Sequence, residues 1–220
     1  MTIADIFDRY LGQPKSLRRL RVATHTPLER LPMVAIDCET TGLDARRDRI
    51  VSIAAVKIAA GLRVVEPPVL DTLIDPRMPI PARAVAVHGI DNAQVAGAPT
   101  IAEAYDEILA ALAGCVVVGH HVGFDLAMLA GEARRNGCDW REPPYFDTFE
   151  LMAGLGLTAD NVDLVEMMAL LGIAPKGTRH SAAGDARMAA DLFVARARKL
   201  VGQGRGTFGG AIAAHRAPRR

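Results

Sequence analysis

The chain has 220 residues, half of them hydrophobic, which suits one compact domain with a sizeable core and short extensions. Its 26 basic and 25 acidic residues give a net charge of +1, and 5% of the residues are aromatic. This composition argues against a protein that binds tightly along a long stretch of nucleic acid or stacks many bases on an aromatic platform.

The two ends of the chain are more basic than its middle. Residues 14–21 read PKSLRRLR, and no acidic residue follows Asp191. A solvated terminus explains such a tail, and loose attraction to phosphate groups is the functional alternative. We expect residues 1–31 to form an N-terminal extension with a short helix at 2–11 and a linker, and residues 203–220 to form a disordered basic tail.

The cysteines and the apolar runs indicate the cellular compartment in which the protein is expected. Cys38, Cys115 and Cys138 are odd in number and have no zinc-ligand spacing, which favours reduced thiols in a cytoplasmic protein. The longest apolar run, residues 108–119, is too short to span a membrane, and residues 1–12 do not read as a signal peptide. We therefore predict a cytoplasmic protein with no membrane partner.

Strands and helices are predicted from hydrophobic periodicity and from capping residues. The strands are expected at 33–38, 50–58, 62–74, 115–119 and 144–148, the third interrupted by Pro67 and Pro68. The helices are expected around 80–90, from Thr100 with its Glu103 to about Ala113, at 122–136, from Asn161 to Leu171, and at 182–201. An antiparallel opening followed by alternating helices and strands is typical of an α/β layered sheet.

Two acidic residues end the first predicted strand. Residues 33–43 read MVAIDCETTGL, so Asp37 and Glu39 share one face of the strand while Cys38 points to the opposite face. In open α/β sheets, functional sites form at the carboxyl ends of the strands. A strand end that reaches water also tolerates acids, and for these two residues alone that is the simpler interpretation.

Two further acids and a histidine follow in the second half of the chain. The predicted strand 115–119 leads into GHHVGFD, which places Asp125 in the first turn of a helix, where an acid is also favourable with the helix dipole. The last helix opens with HSAAGDA, so His180 stands five residues before Asp185. Asp185 lies on an apolar helix face, where a solvated acid is hard to explain. His180 alone would be interpreted as a capping or surface residue.

These four acids would repel one another in a single pocket, and some would stay protonated. Divalent cations remove the repulsion, and oxygen ligands of this kind suit Mg²⁺ or Mn²⁺. Two such ions can clamp the attacking and leaving oxygens of a phosphodiester while a neutral histidine accepts a proton from water. We therefore predict a catalytic site made of Asp37, Glu39, Asp125, Asp185 and His180 with two Mg²⁺ or Mn²⁺ ions.

Three segments of the chain resemble the motifs of a known family. DCETTGL (37–43), HHVGFD (120–125) and HSAAGD (180–185) resemble the three exonuclease motifs of the DnaQ-like 3′–5′ exonucleases, in the histidine subclass called DEDDh. The segments 73–91 and 161–173 are similar to the linking segments of that family, so the resemblance covers about residues 32–200. Within the family, the chain is similar to the exonuclease domain of the DNA polymerase III epsilon subunit.

The resemblance implies a ribonuclease H-like α/β fold, with a mixed sheet flanked by helices, in an exonuclease domain at 32–202. It implies a metal-dependent 3′–5′ exonuclease that hydrolyses terminal phosphodiester bonds of nucleic acid, with DNA favoured, to nucleoside 5′-monophosphates. The four acids would hold the metal ions, with Asp125 acting in part through water, and His180 would be the general base. The partner would be a single-stranded or frayed 3′ end, and a DNA polymerase is a candidate protein partner.

The resemblance also implies six substrate-binding residues, namely Thr40, Thr41, Gly42, Leu43, His88 and His121. Thr40 and its backbone would bind the terminal sugar, and Leu43 would wedge against the last base. His121 departs from the family pattern, which often has asparagine there, and histidine is bulkier and titrates. The details of strand binding stay open at this position.

Other classes of function stay open at this point. The domain could be a non-catalytic nucleic-acid-binding or polymerase-associated module, an RNA-trimming exoribonuclease, or a hydrolase of small phosphate esters. A former nuclease could have lost one of the five polar groups, and all five are present. The choice between DNA and RNA and the oligomeric state are left open by the sequence.

Overall fold

The computed structural model describes residues 21–154 and 162–215. The strands are β1 (Met33–Thr40), β2 (Ile50–Ala59), β3 (Arg63–Val64), β4 (Leu70–Leu73), β5 (Val116–Gly119) and β6 (Tyr145–Asp147). The helices are α1 (Ala82–His88), α2 (Asn92–Val95), α3 (Ile101–Leu112), α4 (Val122–Arg135), α5 (Thr148–Gly154), α6 (Leu164–Leu170), α7 (Ala182–Gly202) and α8 (Phe208–His215).

The strands form one mixed sheet in the order β3-β2-β1-β5-β6, with β4 also paired to β2. β2 runs antiparallel to β1, β3 and β4, whereas β1, β5 and β6 run parallel to one another. The expected strand at 62–74 is two strands, because Pro67 and Pro68 stand between β3 and β4 and proline cannot donate a ladder hydrogen bond. The antiparallel opening and the α/β layering are confirmed.

Helices cover both faces of the sheet, because alternate residues of β1 enter two different hydrophobic cores. Val34, Ile36 and Cys38 pack on the side of α3 and α4. Met33 and Ala35 pack on the side of α7 and α8. The long helix α7 therefore crosses the face on which the odd-numbered residues of β1 lie.

Capping residues decide where the helices begin. Thr100 and Glu103 exchange hydrogen bonds at the start of α3, as predicted. The predicted cap Asn161 lies outside the described residues, and α6 is instead capped by Asp163, which exchanges hydrogen bonds with Glu166. The structure favours Asp163 because the residue three positions later is a glutamate that can return the hydrogen bond.

The C-terminal segment differs from the disordered tail expected for residues 203–220. Helix α8 packs on the sheet face shared with α7, and its Ala211 and Ala214 are buried. A Gly- and Arg-rich composition predicted disorder, yet the small side chains of this segment also allow a helix to approach its neighbours closely. Residues 216–220 lie outside the described part of the chain.

The N-terminal side contributes to the same core. Leu28 is fully buried in a short 3₁₀ helix, Leu28–Arg30, and Pro27 forms a β-bridge with Thr207. The helix predicted at 2–11 lies outside the described residues. In the described ranges, no helix is both long enough and apolar enough to cross a bilayer.

Candidate active site

The carboxyl end of β1 presents two acids to the face covered by α7. Asp37 and Glu39 continue the odd-numbered series that begins with Met33 and Ala35. Glu39 is buried and Asp37 is half-buried. A β-bulge follows, with a register shift between Glu39 and Thr40, and such bulges redirect a strand next to active sites.

Helix α7 brings a third acid to the same place. Asp185 lies in the first turn of α7 and is 4% exposed. Three carboxyl oxygens, one each from Asp37, Glu39 and Asp185, lie within 4.8 Å of one another. Acids that are distant along the chain thus meet because β1 and α7 share one layer.

Asp125 reaches the site from the opposite side of β1. It lies in the first turn of α4, and its Oδ1 accepts a hydrogen bond of 2.8 Å from the backbone N–H of Cys38. β5 pairs with β1 only at residues 33–35, so the N–H of Cys38 lies beyond that ladder and needs another acceptor. Asp125 therefore borders the group formed by the other three acids, and its negative charge raises the pKa of Asp37.

Burial and mutual repulsion make these acids weak. Burial raises the pKa of Asp37 well above its ordinary range, and the charges of Asp125, Asp185 and Glu39 raise it further. Burial, followed by repulsion from Asp185, raises the pKa of Glu39 to about 7. Burial raises the pKa of Asp125 to about 8. Four ionised carboxylates at neutral pH therefore require a compensating cation.

The cluster has the properties of a divalent-cation site. Asp185 Oδ1 is buried and has no hydrogen-bond partner within the described residues, whereas its Oδ2 accepts a hydrogen bond of 3.1 Å from the N–H of His180. A buried oxygen without a partner is costly unless something binds it. Carboxyl oxygens are ligands that Mg²⁺ and Mn²⁺ prefer, so Asp37, Glu39 and Asp185 could hold a metal ion.

His180 lies at the solvent-facing edge of the cluster. It is exposed and directly precedes Ser181, the residue that caps α7. Its backbone is in the left-handed region, with φ 58°, and its N–H donates to Asp185. The side chain is thus accessible to water beside the acids.

Hydrogen bonds fix the turn that follows β1. Thr40 Oγ1 donates to the carbonyl of Gly42 at 2.7 Å, and Thr41 Oγ1 donates to Asp48 Oδ1 at 3.1 Å. A Cβ at position 42 would lie 2.5 Å from Asp48 Oδ2, so a larger residue there would displace the carboxylate that Thr41 contacts. Leu43 follows at the tip with 86% of its surface exposed. Leu43 is therefore accessible to a ligand, and its contact with substrate stays a prediction.

His88 supports this turn from helix α1. The backbone N–H of Ile90 donates to its Nδ1 at 3.0 Å, and its Nε2 lies 3.3 Å from the carbonyl oxygen of Thr40. With Nδ1 accepting, Nε2 carries the proton of the neutral ring and donates to Thr40. Burial lowers the pKa of His88, which favours this neutral form. Nδ1 thus fixes the ring next to its own helix and Nε2 holds the turn after β1, and substrate contact by His88 stays a prediction.

The two histidines of the second motif differ in their surroundings. Burial lowers the pKa of His120 to about 3, and its Nδ1 lies 3.0 Å from Thr148 Oγ1. His121 is exposed in the left-handed region, with φ 56°, and its ring centroid is 4.5 Å from that of Phe149. Its backbone N–H donates to Asp147 Oδ1 at 3.1 Å. His121 is therefore the accessible one of the two at this edge of the sheet.

Comparison with known protein families identifies the family to which the chain belongs. Residues 34–193 match a family model named RNase_T and described as exonuclease. The chain belongs to this exonuclease family. Membership supports a nuclease function and confirms the resemblance to the DnaQ-like exonucleases.

Several relatives of this chain carry names of polymerase subunits. A DNA polymerase III subunit epsilon-like protein of Rhodobacter capsulatus is 40% identical over 85% of this chain and 27% of its own length. A PolC-type DNA polymerase III of Thermotoga maritima is 35% identical over 73% of this chain and 11% of its own length. The DNA polymerase III subunit epsilon of Aquifex aeolicus is 31% identical over 73% of this chain and 78% of its own length. The chain thus spans about a quarter or less of the first two relatives and most of the third.

Solved exonuclease structures share the fold. Escherichia coli Exonuclease I in complex with a dT13 oligonucleotide superposes with a TM-score of 0.66 and 18% identity, over 79% of this chain and 42% of its own. Exonuclease X in complex with 5′ overhanging duplex DNA gives a TM-score of 0.61 and 23% identity, over 83% of this chain and 99% of its own. The predicted ribonuclease H-like α/β fold is confirmed.

Four polar residues around the exonuclease site were not predicted. Arg179 pairs with Asp185, and its place directly before His180 was the available clue. Asp147 holds the backbone of His121, and it stands at a strand end, where the other acids were sought. Glu132 and Arg135 lie one helical turn apart on α4 and form an ion pair with an N–O distance of 3.0 Å. Their spacing in the sequence indicates that they can pair but does not indicate which other residues the pair contacts.

Proposed function

We propose that this exonuclease is a metal-dependent 3′–5′ enzyme that hydrolyses terminal phosphodiester bonds of nucleic acid, with DNA favoured, and releases nucleoside 5′-monophosphates. The observation that carries the proposal is the convergence of Asp37, Glu39 and Asp185, with a buried and unpartnered oxygen on Asp185, among the residues that the structure describes. Carboxyl oxygens gathered at one end of a sheet suit phosphoryl chemistry, in which most of the catalysis is charge neutralisation and positioning.

The acids would hold the cations, which we propose to be two Mg²⁺ or Mn²⁺ ions. Asp37, Glu39 and Asp185 would supply oxygen ligands directly, and Asp125 would complete the site from the other side of β1. When bound, the cations would offset the negative charge of the scissile phosphate and favour ionisation of the attacking water.

His180 would act as the general base in this proposal. Its exposed ring lies beside the acids, where it can accept a proton from the attacking water and pass it to solvent. The hydrogen bond from its N–H to Asp185 keeps the residue at a constant distance from the cluster.

The turn after β1 would grip the end of the strand. Thr40 ends β1 directly after Glu39, and the exposed Leu43 offers an apolar surface to a terminal base. Such a grip covers a few terminal nucleotides. DNA is proposed because relatives are named as DNA polymerase III subunits and because fold neighbours were solved with DNA. A DNA polymerase is a candidate partner for the same reason.

The first experiment tests catalysis and polarity. Oligonucleotides labelled at the 5′ or the 3′ end are incubated with the protein and Mn²⁺. We expect the 3′ label to appear at once as a mononucleotide, while the 5′ label gives a ladder of shortened strands. Asp185→Asn should abolish both signals, because it removes a proposed metal ligand, and Asp106→Asn, at an exposed position of α3, should leave them unchanged. Full activity in Asp185→Asn would contradict the proposed site.

A second experiment separates the candidate substrates. Matched DNA and RNA strands, single-stranded and paired, are digested in parallel. Faster digestion of DNA supports the proposal, whereas exclusive digestion of RNA would make the protein an exoribonuclease. A folded protein that binds Mn²⁺ and digests neither strand would be a binding module.

A further inference from the structure

A guanidinium lies against the acidic cluster. Nη1 of Arg179 pairs with Oδ2 of Asp185, and its charge lowers the pKa values of Asp37, Glu39 and Asp185 against the larger opposite effect of burial. The side chain of Arg179 is 34% exposed and that of Asp185 is 5% exposed. Arg179 therefore approaches the cluster from the solvent side, along the direction from which a ligand would arrive.

The backbone that carries Arg179 is fixed. Ser181 Oγ donates to the carbonyl of Thr178 at 2.7 Å, and a Cβ at Gly177 would lie 2.8 Å from Cα of Gly184 in the first turn of α7. This short segment is thus packed against the helix that holds Asp185. The long side chain of Arg179 can change partners by rotating about its own bonds while the backbone stays in place.

We infer that Arg179 is an internal counter-ion that competes with divalent cations for Asp185 and that, once displaced, it contacts a phosphate of the substrate. This inference rests on the proposed exonuclease function. A cation that binds Asp185 meets the positive charge of Arg179 within a few ångströms, and the guanidinium is charged at every relevant pH. After displacement, a phosphate is the anion that enters the site, and the planar fork of arginine matches two phosphate oxygens.

The inference predicts opposite changes for two ligands. Loss of the charge at position 179 should strengthen cation binding, because a competitor is removed, and should weaken binding of the oligonucleotide, because a phosphate contact is lost. A residue that merely holds the segment 177–181 together would weaken both on substitution.

The experiment uses the full chain and three variants. Arg179→Met keeps most of the side-chain length without the charge, and Arg179→Lys keeps the charge without the fork. Arg141→Met is the matched control, since Arg141 is 60% exposed and pairs with Asp139 beyond the far end of α4. Mn²⁺ affinity is measured by calorimetry without nucleic acid, and KM is measured with a single-stranded DNA oligonucleotide at saturating Mn²⁺.

We expect Arg179→Met to bind Mn²⁺ about tenfold more tightly, equivalent to about 1.4 kcal/mol, and to raise KM about tenfold. Arg179→Lys should bind Mn²⁺ nearly as the wild type does and should still raise KM, and Arg141→Met should match the wild type. Unchanged Mn²⁺ affinity in Arg179→Met would overturn the competition, and unchanged KM would overturn the phosphate contact.

Folding and function are controlled separately. Thermal melting shows whether each variant folds, and if Arg179→Met does not, Arg179→Gln replaces it with the same expected results. If the wild type binds Mn²⁺ and digests DNA, and the Arg179 variants behave as the wild type does, the inference about Arg179 is wrong. The proposed function is not affected by that result. A wild-type chain that binds no Mn²⁺ would defeat the proposed function as well.

Discussion

Individual carboxyl groups of the site are held in surroundings that favour their neutral form. Burial raises the pKa values of Glu39 and Asp185, and the charge of Asp185 raises that of Glu39 further. Proton binding and cation binding therefore relieve the same repulsion. The folded protein without metal should be sensitive to pH for this reason.

Glu39 gives a test of this sensitivity. Its pKa rises from 4.5 to about 7 on folding, so it stabilises the fold below about pH 4.5, and that contribution is lost as the pH rises towards 7. We expect the stability of Glu39→Gln relative to the wild type to increase between pH 5 and pH 7. Urea unfolding in EDTA at both pH values measures this, and an equal difference at the two pH values would show that Glu39 does not titrate as described.

His180 gives a second test at the same scale. His180→Ala should lower kcat by about a hundredfold to ten-thousandfold, because a general base contributes in that range. Mn²⁺ affinity should change little, since the backbone N–H that reaches Asp185 is retained. His25→Ala, at an exposed position, is the control. A kcat equal to that of the wild type would remove His180 from the mechanism.

Among the elements, α4 has two separate connections, one to β1 itself and one to the loop that joins β1 to β2. Asp125 at its start accepts from Cys38, and the ion pair at its end holds the loop. Glu132 accepts from the N–H of Ile50 at 3.3 Å, and Arg135 donates to the carbonyl of Ala45 at 3.1 Å. Helix α4 therefore positions both the acids of β1 and the turn that follows them.

Removal of this ion pair tests the connection. Arg135→Met leaves Glu132, which is 2% exposed, as a buried charge without its partner, so we expect a loss of about 3 kcal/mol in the free energy of unfolding. KM should rise as well, because the loop that carries Leu43 is loosened. The neighbouring Arg134→Met, at an exposed position of α4, should change stability by less than about 0.5 kcal/mol. Equal stabilities of the two variants would show that Arg135 does not hold the loop.

Periodicity and capping residues were enough to predict most elements. Alternation along β1 placed Asp37 and Glu39 together, and the apolar face of α7 indicated that Asp185 points inward. The hydrogen bond of Asp125 could not be foreseen, because it depends on where β5 stops pairing with β1. The contact of Arg179 depends on the direction of a long side chain, which residue spacing does not specify.

At the scale of the whole molecule, the site joins parts of the fold that are distant along the chain. β1 contributes two of the four acids, α4 and α7 contribute one each, and the two helices pack on opposite faces of the sheet that contains β1. A ligand that binds all of them stabilises the folded state as a unit.

Mn²⁺ should therefore raise the melting temperature. At a concentration about 100 times Kd, we expect an increase of roughly 5–10 °C for a chain of this size. The proposed site needs all of its converging acids to bind the ion, so Asp185→Asn should lose most of the increase. A melting temperature that does not respond to saturating Mn²⁺ would mean that the cluster does not hold the ion.

The alternation of β1 also limits how the length of the chain can vary. One residue inserted or deleted between Met33 and Asp37 would rotate both acids towards α3 and α4 and would turn Cys38 towards α7. A substitution changes one side chain of this strand, whereas an odd change of length would move every following side chain of the strand to the opposite face of the sheet. We therefore expect natural variants of this chain to avoid odd changes of length in β1 and to lengthen or shorten mainly outside it.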